Sequence, residues 1–250
     1  MRIKFVFESE TGKIILPVNY NRYIQSFIYK NISPKLAGFL HNEGFKYEKR
    51  DFRLFTFSRI FGKYRIIRSE KTLEFKTPVS FYLSTVYPVI AEEFTESIIK
   101  ADDMKIGKNK IFLSSVEVFM KKINKDKMRI RALSPIVVYS TLKKGDGGKK
   151  TYYYSPFEKE FSDLVGKNIM KKYTAYYKKK PVNDRFIIKP YKVSEKRNLI
   201  TTFYKGTVIK GWTGIYEIES SPEFLEFSYC TGIGSKNSQG FGMWEEWGEK

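Results

Sequence analysis

Apolar residues along this chain follow strand spacing in some segments and helix spacing in others. Residues 2–7 (RIKFVF) place apolar and charged side chains in turn, the period-two pattern of a strand with one buried face. The next patterned segment instead carries Tyr23, Phe27 and Ile28 on one helical face. Residues 121–127 are charged and show neither period, and a mixture of strand and helix patterns resumes after them. Such a chain is expected to fold as an α+β protein in two halves.

The first half mixes strand and helix patterns. Ser33 followed by Pro34 is typical of a helix start and Gly44 of a helix stop, so His41 is predicted near a helix C-terminus. The predicted strands are residues 2–7, 53–59, 73–75, 81–86 and 111–119, and the predicted helices are residues 21–30, 34–43 and 88–100.

The second half is predicted to be rich in strands, with one clear helix. Ser155, Pro156 and Glu158 form a capping-box pattern, which predicts a helix from there to about residue 176. A basic loop with three glycines at residues 143–150 is predicted to connect two strands of a hairpin. The predicted strands are residues 128–132, 136–141, 186–192, 201–210 and 224–231.

The length of the chain also favours two domains. At 250 residues it exceeds the usual size of one simple domain, and each half is close to the common size of about 120 residues. We therefore predict two tandem ferredoxin-like (RAMP/RRM-like) domains, residues 1–122 and residues 123–250.

Net charge limits the partners that the chain can have. Lys and Arg number 46 against 27 Asp and Glu, and a net charge of +19 attracts an extended polyanion such as RNA, DNA or an anionic membrane. A membrane-spanning role is disfavoured because the least polar stretch, residues 79–91, is too short and contains Ser, Thr and Pro. The N-terminus has no secretion-signal pattern. The one cysteine, Cys230, excludes an internal disulfide and fits a reducing cytoplasm.

One cysteine and one histidine are too few for a transition-metal cluster, so we predict no metal and no cofactor. Carboxylates could still hold magnesium, because the count of Cys and His does not address such a site.

The strongest local motif lies near the C-terminus, where four glycines enclose a polar tip. Its residues are Gly232, Gly234, Lys236, Asn237, Ser238, Gly240 and Gly242. Glycines permit positive φ and close backbone approach, so the segment could line an RNA phosphate while Lys236 supplies charge. A plain glycine-rich turn between two strands explains the same spacing. The segment is neither a Walker loop nor a Rossmann fingerprint, because the required lysine and helix positions are missing.

The segment GIGSKNSQGFGMW resembles the C-terminal glycine-rich loop of the RAMP superfamily, and particularly of its CRISPR repeat-processing endoribonucleases, the sixth-numbered Cas family. The segments LPVNYNRYIQSFIYK, SPKLAGFLHNEGF and FRLFTFS are similar to that family in order and approximate spacing. The segments ALSPIVV and PFEKEF also fit, so the resemblance covers nearly the whole chain.

The resemblance implies a tandem ferredoxin-like fold and cutting of CRISPR precursor RNA without metal. A ribose 2′-hydroxyl would attack the adjacent phosphate and give cyclic phosphate and 5′-hydroxyl ends. The family's catalytic Tyr, His and Lys positions match Tyr29, His41 and Arg53 here. Arg replaces the family's Lys, so Lys46 or Lys49 could supply the charge instead.

These residue types suit the chemistry. An imidazole can transfer protons near neutral pH, and a helix C-terminus favours its protonated form, which suggests a general-acid or electrostatic role for His41 more than a base role. Arg53 cannot give up its proton and would stabilise charge on the phosphorane. Tyr29 is a poor base, although its hydroxyl could orient the ribose. Ordinary helix packing is the alternative role for Tyr29 and for His41.

Other functions stay open at this stage. Arg129 and Arg131 lie on one face of a predicted strand and could contact an RNA stem. A noncatalytic RNA-binding subunit of a CRISPR effector complex would share the glycine loop and the charge, and a general single-strand binder would share the charge alone. The expected partners are precursor RNA and possible effector-complex subunits, with the protein either a monomer or a homodimer.

Overall fold

The computed structural model describes residues 1–143, 145 and 147–248, and its first half is built around one antiparallel sheet. The strands of this half are β1 (Arg2–Glu8), β2 (Lys13–Pro17), β3 (Phe45–Tyr47), β4 (Arg50–Phe52), β5 (Phe55–Phe57), β6 (Tyr64–Ile67), β7 (Thr72–Lys76), β8 (Val79–Thr85), β9 (Met104–Ile106) and β10 (Asn109–Phe119). The helices are α1 (Asn21–Lys30), α2 (Pro34–Gly38), a π-helical turn (Phe39–Glu43) and α3 (Pro88–Lys100).

The main sheet of this half has the strand order β5-β8-β1-β10-β9. Alternate residues of β1 point into the core, where Phe5 and Phe7 are fully buried. Phe5 meets Phe94 of α3 edge-on, with 5.0 Å between ring centroids, and Phe7 meets Phe27 of α1 at 5.7 Å. The period-two pattern of the first strand and the helical spacing of α1 and α3 therefore bury one common core.

The second half is built around a four-stranded antiparallel sheet with the order β14-β17-β11-β18. Its strands are β11 (Lys127–Ala132), β12 (Tyr139–Lys143), β13 (Lys149–Tyr153), β14 (Phe186–Lys192), β15 (Leu199–Tyr204), β16 (Thr207–Trp212), β17 (Ile215–Ser220) and β18 (Trp244–Glu246). Its helices are α4 (Lys159–Tyr177), α5 (Glu195–Asn198) and α6 (Pro222–Thr231), with a 3₁₀ turn at Asn237–Gln239. The α+β prediction is confirmed.

Helices with clear start signals were predicted well. The bounds of α1 and α3 agree with the prediction, and the Ser33 hydroxyl accepts a hydrogen bond from the Leu36 N–H, as expected of an N-cap. The helix after Pro34 changes into a π-helical turn before it ends at Gly44, so His41 does lie at a helix C-terminus.

The prediction of a strand at residues 224–231 is wrong, because this segment is helix α6. Its aromatic residues favour strands by composition, but Pro222 occupies the first helical turn and Glu223 is favourably placed near the helix N-terminus. Phe224, Leu225 and Phe227 are all buried. Burial on adjacent faces hides the one-sided periodicity that normally marks a helix.

Two other predicted strands are each split. Residues 201–210 belong to the hairpin β15–β16, which turns at Lys205 and Gly206, both with positive φ. Residues 53–59 are interrupted at Leu54, which also has positive φ, so that β5 begins only at Phe55. Side chains before and after this break therefore face different neighbours.

Two further boundaries differ from the prediction. Helix α4 begins at Lys159 rather than Pro156, although the Glu158 carboxylate does accept from the Ser155 N–H as in a capping box. The strand expected at residues 136–141 is β12, preceded by a single bridge at Ile136. Strand β17 was not predicted. Strands β12 and β13 pair as the predicted basic hairpin, and Lys144 and Asp146 lie outside the described residues.

Buried groups join the two halves. The Arg2 guanidinium of β1 donates to the carbonyls of Trp244 (2.8 Å) and Tyr229 (2.9 Å) and lies 3.5 Å from the centroid of the Tyr229 ring. Burial lowers the pKa of Arg2 to about 10. Leu54 packs into the second core. The division between residues 122 and 123 stays a prediction.

Candidate active site

A cleft of about 1330 Å³ lies between the two halves. One wall comes from α1, the π-helical turn and residues 50–55, and the other comes from β12, α4 and the glycine-rich loop, residues 232–242. Its basic side chains are Arg22, Arg50, Arg53, Lys167, Lys171, Lys172, Lys205 and Lys236. Among the described residues that line the cleft, Asp51 is the one acid. Such a cleft concentrates positive potential and suits a polyanion.

His41 lines this cleft from the middle of the π-helical turn, three residues before Gly44. Its side chain is exposed, and its Nδ1 lies 2.8 Å from the Asn42 Oδ1. This contact engages Nδ1, and Nε2 has no protein partner in the described part of the chain. An exposed imidazole at a helix C-terminus can hold and release a proton.

Arg53 supports the turn that carries His41. Its Nε donates to the Leu40 carbonyl at 2.7 Å, and its Nη2 donates to the His41 carbonyl at 2.7 Å. A third bond runs from Nη1 to the Asp51 carbonyl at 2.9 Å. A guanidinium has five N–H donors, so two N–H groups are not used by these bonds. The sequence did not indicate this backbone role.

Tyr29 lies near Arg53 on the cleft side of α1. Its ring is half-buried and packs 6.0 Å, centroid to centroid, from the Phe55 ring. Burial raises the pKa of the Tyr29 hydroxyl, and the neighbouring Arg53 guanidinium offsets only part of that rise. The Tyr29 hydroxyl therefore keeps its proton at neutral pH and can donate a hydrogen bond.

The two alternative lysines do not reach this group of residues. Lys46 and Lys49 are exposed on the β3–β4 hairpin, and neither lines the cleft. Arg50, which follows them, does line it. The structure thus brings together Tyr29, His41 and Arg53.

The glycine-rich loop is closely packed, and its glycines are required by contacts within the protein. A Cβ on Gly242 would meet the Ile233 carbonyl oxygen at 1.9 Å, and a Cβ on Gly240 would meet the Phe57 ring at 2.3 Å. Both glycines also have positive φ. Neither of them lines the cleft, nor does Gly232, which follows α6. These three glycines therefore shape the loop from behind.

The cleft face of the loop consists of Gly234, Lys236, Asn237 and Ser238, together with neighbouring residues. The Lys236 ammonium lies 5.1 Å from the centroid of the Tyr139 ring, and burial lowers the pKa of Lys236. A cation beside an aromatic ring can contact both a phosphate and a base. Phosphate binding by this loop stays a prediction.

Helix α1 fixes the loop relative to Tyr29. The Asn21 side-chain amide donates to the Gln239 carbonyl at 2.8 Å, and the Gln25 side-chain amide donates to the Ser238 carbonyl at 2.7 Å. Gln25 is one helical turn before Tyr29 and shares its face. The loop and the Tyr29 side of the cleft are therefore held in one arrangement.

Arg129 and Arg131 do not belong to this cleft. Both lie on β11, on the face opposite the buried residues Met128 and Ile130, as their alternation predicted. Arg131 forms an ion pair with Glu245, and the Arg129 guanidinium lies 3.9 Å from the centroid of the Tyr191 ring. Their predicted contact with an RNA stem stays a prediction.

The basic face of α4 was not among the predicted site residues. Lys167 and Lys171 are spaced by one turn and line the cleft, so the i, i+4 pattern could have indicated them. Lys172 lines it too but is buried, with its Nζ donating to the Gly232 carbonyl at 2.7 Å. Burial lowers the pKa of Lys172 to about 7.

No three His, Cys, Asp or Glu side chains in the described part of the chain come together as metal ligands. No helix in the same ranges is both long enough and apolar enough to cross a membrane.

Family models match almost the entire chain. The model for the N-terminal part of CRISPR-associated protein Cas6 matches residues 15–117, and the model for the C-terminal part of CRISPR-associated protein Cas6 matches residues 118–246. The chain belongs to the Cas6 family. A Cas6 relative from Methanocaldococcus jannaschii, named CRISPR-associated endoribonuclease Cas6 1, is 30% identical over 97% of this chain and 91% of the relative. The endoribonuclease Cas6 of Pyrococcus furiosus is 28% identical over 99% of this chain and 90% of its own length.

Solved Cas6 structures share the fold. The product of a Cas6-related gene from Pyrococcus furiosus superposes with a TM-score of 0.85, at 27% identity, over 100% of this chain and 99% of the other. A RAMP protein described as binding different RNA substrates gives a TM-score of 0.83 at 26% identity, over 99% and 100% of the two chains. These matches confirm the predicted RAMP-type architecture of two tandem ferredoxin-like units.

Proposed function

We propose that this member of the Cas6 family is an endoribonuclease that binds CRISPR precursor RNA and cuts it within the repeats without a metal ion. The products would carry 2′,3′-cyclic phosphate and 5′-hydroxyl ends and would serve as guide RNAs. The observation that carries the proposal is the position of His41, Arg53 and Tyr29 together in a basic cleft that the glycine-rich loop also lines. The names of the Cas6 relatives support the endoribonuclease activity.

The reaction forms a bond from the ribose 2′-oxygen to phosphorus, with release of the 2′-hydroxyl proton to solvent, and breaks the bond from phosphorus to the 5′-oxygen. The leaving 5′-oxygen must gain a proton, and His41 is the side chain placed to give it. The imidazolium is the form of a histidine side chain that can act as an acid. The nucleophile belongs to the RNA itself, so no activated water is needed for this step.

Charge builds up on the phosphorane oxygens in the transition state. Arg53 cannot lose its proton, and its two remaining N–H groups can donate to one of these oxygens while its other bonds hold the His41 backbone. Tyr29 keeps its proton because burial raises its pKa, so its hydroxyl can donate to the phosphate or orient the ribose.

RNA would reach these groups through electrostatic attraction. The cations on α4 and on the loop lie across the cleft from the wall that carries Tyr29, His41 and Arg53. A strand that lies between them would contact Lys167 and Lys171 on one side and pass His41 on the other. Binding of this kind weakens steeply with salt, because each neutralised phosphate releases counterions.

A noncatalytic RNA-binding subunit is the second candidate function. The observation that favours it is the use of Arg53 in three backbone hydrogen bonds, which leaves this side chain less free than a lysine to follow the phosphate. Association with effector-complex subunits, the cytoplasmic location, and the choice between monomer and homodimer stay predictions.

Cleavage of a repeat RNA tests the proposal. The wild-type protein is expected to cut it equally well with and without EDTA, and 5′-hydroxyl products are expected to accept label from a polynucleotide kinase without phosphatase treatment. A single 2′-deoxy nucleotide at the cut site should abolish cutting while leaving binding intact. Cutting of the 2′-deoxy RNA, or loss of cutting in EDTA, would contradict the mechanism. Binding without any cutting would support the second candidate.

A further inference from the structure

Lys172 is a buried ammonium beneath the glycine-rich loop. Its Nζ donates to the Gly232 carbonyl at 2.7 Å, to the Asn237 Oδ1 at 2.9 Å and to the Gly234 carbonyl at 3.4 Å. All three acceptors are neutral, and no Asp or Glu of the described chain forms an ion pair with it. A charge removed from water in this way is costly unless an anion comes near.

The acceptors of Lys172 are the groups that hold the loop together. The Asn237 side-chain amide donates to the carbonyls of Ile233 (3.2 Å) and Phe241 (3.0 Å), which brings the two ends of the loop together. The Asn237 Oδ1 can then only point at Lys172. Loss of the ammonium would leave the Asn237 Oδ1 and the carbonyls of Gly232 and Gly234 without this donor.

Hydrogen bonds also connect the loop to the opposite wall of the cleft. Gln25 donates to the Ser238 carbonyl and also accepts from the Tyr204 hydroxyl, so α1, the loop and β15 share one network. Lys172 itself lines the cleft together with Lys236 and Asn237, so its charge lies just below the surface that faces RNA.

We propose that Lys172 is a positioning residue for RNA binding: its ammonium holds the glycine-rich loop from below, and its charge draws an RNA phosphate onto the cleft face of that loop. The inference rests on the proposed function, because it takes RNA as the ligand of the cleft. Lys172 would act through the loop, whereas Lys167 and Lys171 would contact the RNA directly.

A phosphate on the loop would also change the protonation of Lys172. Burial lowers the pKa of Lys172 to about 7, and a nearby anion raises it again, so RNA binding is coupled to proton uptake. The other titratable groups around this part of the cleft are Lys167, Lys171, Lys236, Tyr139, Tyr29 and His41. Of these, Lys236 also has a pKa lowered by burial, so its contribution must be measured separately.

The test measures the Kd of full-length protein for a repeat RNA between pH 7 and 9 at constant ionic strength. His41→Ala serves as the background, because it is expected to prevent cutting of the RNA during the measurement. In this background we expect affinity to fall about tenfold as pH rises from 7 to 9, because bound RNA raises the pKa of Lys172 and the protein loses this proton at high pH. Lys171→Met should bind more weakly but keep the same fall with pH, and Lys236→Met measures how much of the fall belongs to Lys236.

Lys172→Met in the same background should bind at least tenfold more weakly at pH 7 and lose the pH dependence. A purely structural lysine would weaken binding equally at every pH. If Lys172→Met does not give a folded protein by thermal melting, Lys172→Gln takes its place. The inference is overturned if the background protein shows no fall in affinity, or if the Lys172 variants keep it.

Failure of this inference can be told apart from failure of the proposed function. Wild-type protein that cuts repeat RNA while the Lys172 variants keep the pH dependence refutes only the role of Lys172. Wild-type protein that binds RNA with the expected pH dependence and does not cut refutes the nuclease proposal and leaves the role of Lys172 standing.

Discussion

The Arg53 guanidinium donates to the backbone carbonyl of His41 at 2.7 Å and, from its Nε, to that of Leu40 at the same distance. The residue that matches a catalytic position is thus also the support for the turn that presents the imidazole. This dual role explains how an arginine can stand where the family resemblance expects a lysine. A lysine ammonium has no planar fork and could not donate to both carbonyls with the same geometry.

Substitution of Arg53 should therefore affect both catalysis and stability. We expect Arg53→Ala to lower kcat about 100-fold, as does loss of a donor to an oxyanion, and to lower the free energy of unfolding by about 1–3 kcal/mol. Arg53→Lys keeps the charge and should recover part of kcat but not the stability. Single-turnover cleavage and urea unfolding measure the two effects. Full activity of Arg53→Ala would show that Arg53 takes no part in catalysis.

Close packing of the loop predicts that Gly242 cannot be replaced. A Cβ there would lie 1.9 Å from the Ile233 carbonyl oxygen at a positive φ, so Gly242→Ala should lose more than about 3 kcal/mol of unfolding free energy. Gly38→Ala is the matched control, because its Cβ meets nothing within 4 Å in helix α2. The free energy of unfolding of Gly38→Ala should rise by about 0.5–1 kcal/mol. Equal stability of the two variants would show that the loop is not packed as described.

Arg2 joins the two halves, so its removal should weaken the contact that shapes the cleft. Arg2→Met leaves the carbonyls of Trp244 and Tyr229 without this donor. We expect the free energy of unfolding to fall by roughly 2–4 kcal/mol. Lys4→Met on the same strand removes an ion pair with Glu117 near the surface, and should cost less than about 1 kcal/mol. Thermal and urea unfolding of both variants provides the comparison, and similar losses would contradict the assigned role of Arg2.

The buried ammonium of Lys172 also predicts how stability depends on pH. Its folded-state pKa of about 7 lies below the ordinary value of 10.5, so the folded protein binds fewer protons than the unfolded chain between these two values. Stability should rise through this window, and the burial penalty is fully present below pH 7.

Lys172→Met lacks this titration. Compared with that variant, the wild type should therefore gain several kcal/mol of unfolding free energy between pH 7 and 10, on the order of 1.4 kcal/mol per unit of pKa shift. Urea unfolding of both proteins at pH 7, 8.5 and 10 measures the difference. A constant difference across this range would mean that Lys172 has an ordinary pKa.

Local signals predicted much of the fold. Helices α1 and α3 were placed correctly because one-sided spacing and, for α3, a proline at the start mark them. Helix α6 was predicted as a strand because its aromatic composition favours strands, while its helical form is fixed by packing against residues distant in the sequence. Tertiary contact overrode local preference there.

The site was predictable only in part, for a related reason. Family resemblance indicated Tyr29, His41 and Arg53, and the structure places all three in the cleft. Lys172 could not be found, because in a lysine-rich helix the sequence does not show which ammonium is buried. The Arg53 bonds to backbone carbonyls likewise depend on the π-helical turn, which no local pattern indicated.

Cleavage of repeat RNA by His41→Ala, in buffer with EDTA, tests the role of His41 most directly. We expect this variant to bind the RNA with nearly wild-type affinity and to cut it at least 100-fold more slowly, because it lacks the imidazole that would give a proton to the leaving 5′-oxygen. Cutting by His41→Ala at the wild-type rate would contradict the proposed mechanism.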